Sequence, residues 1–208
     1  KGLTLELITL LNKHQTDFHF NFVPTTAQRR YRDFEEKHFD MMFFENPNWE
    51  WLKRGLPIEA SATFLEGGEI FIACKKPGRT QNFFKKIEGK KIAGMRGYHY
   101  GFANFNAEPA FLIKNHNMML LDHNGQSIKM VLRERVDLAV VTKMYLTRYL
   151  KTNADAHSQI LVSQRLDQTY AHRVITRRSS TPSAKFMGHL LKRLEGIQIK
   201  EKRPGPLS

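Results

Sequence analysis

Nine histidines, one cysteine, two tryptophans and 33 lysines and arginines are the residues of this 208-residue chain that could do chemistry. Zinc needs His or Cys at fixed short spacings, and no pair here, His116 and His123 included, has such a spacing; no His-Glu-x-x-His occurs. A metal ligand set is therefore not expected. No Gly-x-Ser-x-Gly elbow is present to carry a nucleophilic serine. No phosphate-cradling Walker loop and no Gly-x-Gly-x-x-Gly occurs, and Gly97 to Gly101 has the wrong spacing. No catalytic residue and no cofactor are expected. Binding chemistry remains. Gly97 begins a strand-to-helix turn, where free backbone N–H groups suit an anion. Tyr98, His99 and Tyr100 follow it and can hydrogen-bond and stack. Trp49 and Trp51 can either stack on a ligand or pack.

The net charge is +13, which raises nucleic acid as a partner. The basic residues are spread in short pairs, such as Arg29-Arg30, Lys85-Lys86 and Lys90-Lys91, with no long basic block. A solvated basic surface is the expected reading, and nucleic acid an unlikely partner. An anionic ligand or an acidic membrane surface is another use of the charge. Residues 76–164 alone carry 14 Lys and Arg against 6 Asp and Glu. Cys74 lies in the apolar run Ile70 to Cys74 and reads as a small core residue.

The elements that must position these residues alternate. Leu3, Leu7, Leu10 and Leu11 lie at helical spacing. Phe18 to Phe22 alternates apolar and polar, as a half-buried strand does. Thr25 and Thr26 can cap a helix from Ala27 to about Glu36. Strands are expected at 40–44, 70–74, 92–95, 118–121, 136–141, 160–162 and 170–176, and helices at 81–87, 125–132, 142–150 and 183–194. Strands alternating with helices imply an α/β fold with largely parallel pairing. The polar tail 201–208, with two prolines and a glycine, is expected to be flexible. No apolar run reaches the roughly 18 residues a membrane span needs. Lys1 runs straight into the first helix pattern, so a targeting segment is expected to have been removed.

The order of these segments, over about residues 2–195, resembles the type II periplasmic solute-binding proteins, specifically the polar amino-acid branch that feeds ABC importers. Several stretches carry the resemblance. Gly2 to Leu7 and Phe22-Val23-Pro24 resemble the family's first helix and second strand. Phe39-Asp40-Met41-Met42 resembles its next strand. Ala62-Thr63-Phe64-Leu65-Glu66-Gly67-Gly68 resembles the approach to a crossover. Ile87 to Gly97, with Arg96 near its end, resembles the first strand of the second lobe, and Glu134 to Val141 resembles a later strand, without its usual glycine.

The resemblance implies two α/β lobes joined by two crossovers, with a ligand cleft between them. Lobe one would be 1–75 plus 165–208, and lobe two 76–164. It implies a small-molecule ligand, hinge closure, a monomer, a periplasmic location, and a membrane permease or receptor as partner. Arg54 falls where the family holds the ligand's carboxylate, and a guanidinium fork fits one. Phe64, Arg96, the turn Gly97 to Tyr100, and Thr142 would complete the contacts, with Trp49 and Trp51 at the rim. Thr142 stands where the family has an aspartate for an ammonium, which puts an ordinary α-amino acid in doubt. The family's first strand normally precedes Gly2, so one wall of the site is expected to be missing here.

Overall fold

The computed structural model of the protein describes residues 3–201; side chains beyond Glu195 are left aside, and the tail expected to be flexible lies almost wholly outside the described residues. The chain forms two compact units, residues 1–66 with 171–208, and residues 67–170. The boundaries were expected at 75/76 and 164/165. They fall instead inside two long strands, β3 (Leu65–Cys74) and β7 (Ile160–Arg177).

In the first unit, α1 (Leu3–His14) is followed by an irregular stretch, α2 (Arg30–Glu35), β1 (Met41–Glu45) and β2 (Ile58–Ala60). The C-terminal part of β7 pairs antiparallel with both β1 and β2. This departs from the parallel pairing expected, because the strand between them returns from the far end of the chain. α7 (Ala184–Glu201) closes the unit. Ile8 and Leu11 of α1 pack with Phe43, Val174, Met187, Leu190 and Leu191.

Phe18 to Phe22 has no regular secondary structure and joins no ladder. The Asn12 side chain replaces a strand partner for Phe20: its amide donates to the Phe20 carbonyl and accepts from the Phe20 N–H, both at 2.8 Å. A groove of about 670 Å3 runs along this stretch and β1, lined by Leu5, Phe18, Phe20, Met41 and Phe43 among others. α2 is shorter than the expected helix: Thr26 accepts from Arg29 N in the turn that precedes it, and regular helix begins only at Arg30.

A buried ion pair anchors this unit. Arg30 and Glu45 are 3% and 4% exposed, and Arg30 Nε lies 2.9 Å from Glu45 Oε1. Trp51 Nε1 donates to Glu45 Oε2 at 2.7 Å, and Arg30 donates to the Tyr31 hydroxyl at 2.9 Å.

His172, on β7, is buried with ring edges of Phe44 and Trp49 against it at centroid distances of 5.7 and 5.9 Å. Burial pushes its imidazole down to about 4, against an ordinary value near 6.5. The unfolded chain therefore takes up this proton first as pH falls. Stability from this group is complete above pH 6.5 and drains away toward pH 4, by roughly 2–3 kcal/mol at pH 4.5. Urea denaturation of the parent and of His172→Leu at pH 7 and pH 4.5 checks it. An acid loss of the same size in both proteins would mean that His172 is not its source.

In the second unit, the first part of β7 flanks β3, followed by β6 (Leu138–Thr142), β4 (Ile92–Met95) and β5 (Met118–Leu121). β6 runs antiparallel to β3 and parallel to β4, which is parallel to β5. α3 (Pro109–His116), α4 (Asn124–Leu132), α5 (Lys143–Thr152) and α6 (Ala154–Gln159) complete it. Ile70, Ile72, Ala139, Val141, Ile128 and Val131 bury one sheet face; Phe71, Leu138, Val140, Leu112 and Tyr100 bury the other. Each strand thus reads as a continuous apolar run, which is why β4, β5 and β6 were legible. The helix expected at 81–87 is a four-residue 3-10 turn, Gln81–Phe84, capped by the Thr80 side chain on Asn82 N.

Candidate functional site

The second unit holds a polar cluster inside its apolar walls. The β3/β6 register sets Glu69 directly across from Thr142. Glu69 is the one charged side chain between Gly68 and Cys74, and it is 2% exposed. Its Oε1 accepts from the Thr142 hydroxyl at 3.2 Å and from the Tyr170 hydroxyl at 3.4 Å. Asn124, at the start of α4, accepts from Thr142 N at 3.3 Å and donates to its hydroxyl at 3.4 Å. Burial pushes the Glu69 carboxyl up to about 8; Thr142 pulls the other way, and the charge of Asp167 adds to the rise. Glu69 therefore holds a proton at neutral pH.

Two glycines make room for this cluster. A Cβ on Gly67 would meet the Tyr170 ring at 2.6 Å, and one on Gly68 the Gln168 carbonyl oxygen at 2.7 Å. Neither position can carry a larger side chain without moving β7.

The turn after β4 differs from the expectation. Gly97 has φ +77, in the left-handed region, but no helix starts beside it. Regular structure resumes only with a 3-10 turn, Gly101–Ala103. Its free N–H groups already hold an anion of the chain's own: Gly101 N and Phe102 N donate to the Asp167 carboxylate at 2.7 and 2.9 Å.

Tyr100 is fully buried, stacked on Phe102 at 5.5 Å, with its hydroxyl accepting from Met95 N at 2.5 Å. It is a core residue and offers no surface to a ligand. His99 is buried too, its Nδ1 2.8 Å from the Phe105 carbonyl oxygen. Tyr98 is half-buried. Arg96 is exposed, with Nε 3.9 Å from Asp122.

The other expected site residues belong to the first unit. Trp51 is corrected in the same way as Tyr100: it is fully buried, edge-on to Tyr31 and Phe34 at 4.8 and 5.1 Å, and cannot stack on a solute. Trp49 is half-buried beside His172. Phe64 is half-buried on Phe44, at 5.4 Å between centroids. Arg54 is exposed and already paired with Glu50 at 3.2 Å and Glu35 at 3.4 Å.

Asp33, Glu36 and His38 bring possible metal-ligand atoms within 4.8 Å of one another. Their oxygens are already engaged, however: Thr25 and Arg29 hold Asp33, and Arg32 holds Glu36 at 2.7 Å. No helix of the described residues is long and apolar enough to cross a membrane.

No protein-family model matches the chain, and no curated protein does. Solved structures do match. The GluR0 ligand-binding core from Nostoc punctiforme, in complex with L-glutamate, is 12% identical with a TM-score of 0.69, over 95% of this chain and 86% of that one. A mutant of ArgBP from T. maritima is 13% identical with a TM-score of 0.68, over 97% and 82%. The periplasmic VFT2 domain of BvgS from Bordetella pertussis is 15% identical with a TM-score of 0.62, over 97% and 83%. The chain has the fold of the type II periplasmic solute-binding proteins.

Within that binding-protein fold, Thr142 is the expected site residue that the structure joins to a polar network. Glu69, Asn124, Asp167 and Tyr170 were missed. A signal for Glu69 was available: a lone carboxylate opening an otherwise apolar strand directly after Gly67-Gly68. Asn124 and Asp167 carry no such signal, because only the folded chain brings them to Thr142 and Gly101.

Proposed function

We propose that the chain binds a small solute outside the cytoplasm, amino-acid-like or otherwise carboxylate-bearing, for import or for sensing. The observation that carries this reading is the walled-in polar cluster of Glu69, Thr142, Asn124 and Tyr170, in a fold whose solved examples include proteins crystallised with glutamate and arginine. From the second unit, Thr142, Tyr98, Arg96, Gly97 and His99 are the proposed contacts. Arg54, Trp49 and Phe64, also expected to hold a solute, lie in the first unit. A solute carboxylate at Arg54 would displace Glu50 or Glu35, and exposed ion pairs of that kind are worth only about 0–1 kcal/mol.

Catalysis is not part of the proposal. A Glu69 that holds its own proton at neutral pH cannot take one from the Thr142 hydroxyl. A permease or a receptor domain is the partner this reading calls for. The match to a periplasmic VFT2 domain favours sensing as the second reading.

A thermal-shift screen against amino acids, organic acids, polyamines and nucleotides at two salt concentrations tests the proposal. A solute at a hundred times its Kd adds about 2.7 kcal/mol to stability, so one chemical class is expected to raise Tm by several degrees. No shift with any compound, together with salt-sensitive binding to nucleic acid, would replace solute binding by a basic-surface role.

A further inference from the structure

The Glu69 carboxyl is half matched. Its Oε2 is buried and has no hydrogen-bond partner, while Oε1 takes both Thr142 and Tyr170. No cation is among the groups that act on it. The groups facing it come from each neighbouring element. Thr142 comes from β6 and Asn124 from α4. Asp167 and Tyr170 come from β7, and Tyr100 from the turn after β4, while Tyr98 acts on the two tyrosines. Arg165 acts on Asp167. Burial raises Tyr100 and Tyr170, so both phenols stay neutral and bring no competing charge. A buried carboxyl with an unmet oxygen is costly unless a proton or a cation neutralises it. A carboxylate is the chemistry that holds ammonium and guanidinium groups.

We propose that the unmatched oxygen of Glu69 receives a protonated amine or guanidinium of the bound solute. The inference rests on the solute-binding reading and narrows its ligand to a cation-bearing one. Thr142 cannot supply negative charge, and Glu69 supplies it from the strand opposite. Below about pH 8 the empty site carries a proton on Glu69. When the cation enters, the carboxyl ionises and that proton leaves to solvent. The affinity for a cationic solute then rises about tenfold per pH unit up to pH 8 and levels off there, while the ligand keeps its own proton.

Calorimetry of the full chain with four probes decides it: L-arginine, agmatine (arginine without its carboxylate), L-glutamate, and glutarate (glutamate without its amine). Each is titrated at pH 6.5 and pH 8.5, in two buffers of different ionisation enthalpy. At least one amine-bearing probe is expected to bind, and L-glutamate is expected to bind more tightly than glutarate. Binding at pH 6.5 is expected to release close to one proton. Glu69→Gln, which keeps shape and removes ionisation, is expected to weaken the bound amine about a hundredfold and to abolish proton release. A cooperative melting curve with a midpoint at or above the parent's confirms that the variant is folded.

Equal binding of glutarate and L-glutamate, or an amine held as tightly by Glu69→Gln as by the parent, overturns the inference and leaves solute binding standing. So does a thermal-shift ligand that carries no cation. Silence toward all four probes and the whole screen overturns both.

Discussion

Glu45→Leu is expected to destabilise the protein by about 3–5 kcal/mol, the usual cost of leaving a buried charge without its partner. Arg30 would keep its full charge at 3% exposure with no carboxylate beside it. Trp51 would lose the acceptor for its ring N–H as well. Arg30→Met should cost a similar amount, since Glu45 would then be stranded. The double variant should be milder than the sum, because both charges leave together. What it retains is the cost of the unmet Trp51 N–H, about 1–3 kcal/mol. Urea denaturation of the four proteins measures this. Simple addition of the two single losses would show that the pair is not energetically coupled.

The second large effect has the opposite sign and appears in base. Glu69→Gln is expected to match the parent near pH 4 and to exceed it in stability increasingly as pH rises, most of all above pH 8. In the folded chain the Glu69 carboxyl titrates near 8, against 4.5 when unperturbed. A raised folded value means that the native state holds the proton which the unfolded chain has lost. Glu69 therefore supports the fold most at low pH, and that support drains away as pH climbs from 4.5 through 8. The full span is on the order of 4–5 kcal/mol. The amide cannot ionise, so the variant escapes the loss. Denaturation at pH 6 and pH 9 reads it directly, and equal alkaline slopes in the two proteins would refute it. This dependence runs counter to that of His172, so the sum of these two contributions is largest between about pH 4.5 and 6.5.

Much of the fold was legible in the sequence, because it rests on local apolar patterning. β4, β5 and α4 lie where their runs placed them, and α1 follows its leucine spacing. What was not legible depends on partners distant in sequence. β7 reads as two short strands because Ser163 to Gln168 is polar apart from Leu166, yet with β3 as its neighbour it forms one strand of 18 residues. Phe18 to Phe22 has the right alternation for a strand, but a side-chain amide rather than a neighbouring strand meets Phe20. β2 and α3 are too short or too mixed to announce themselves. At the candidate site, Thr142 could be singled out, whereas Trp51 and Tyr100 could not be told from rim aromatics. Only burial separates a tryptophan that stacks on a solute from one that donates to Glu45.

The chain passes between its two units at Glu66/Gly67 and at Tyr170/Ala171, in both places within a strand. A protease needs a segment it can lift from its hydrogen bonds, and neither crossing offers a loose linker. The first unit is assembled from two stretches that are distant in sequence, so no single cut releases it. Expressing residues 67–170 alone would cut β3 and β7 partway along their length. In genetic terms the second unit is an insertion without seams: it can be studied and varied in place, but not cut out as a module.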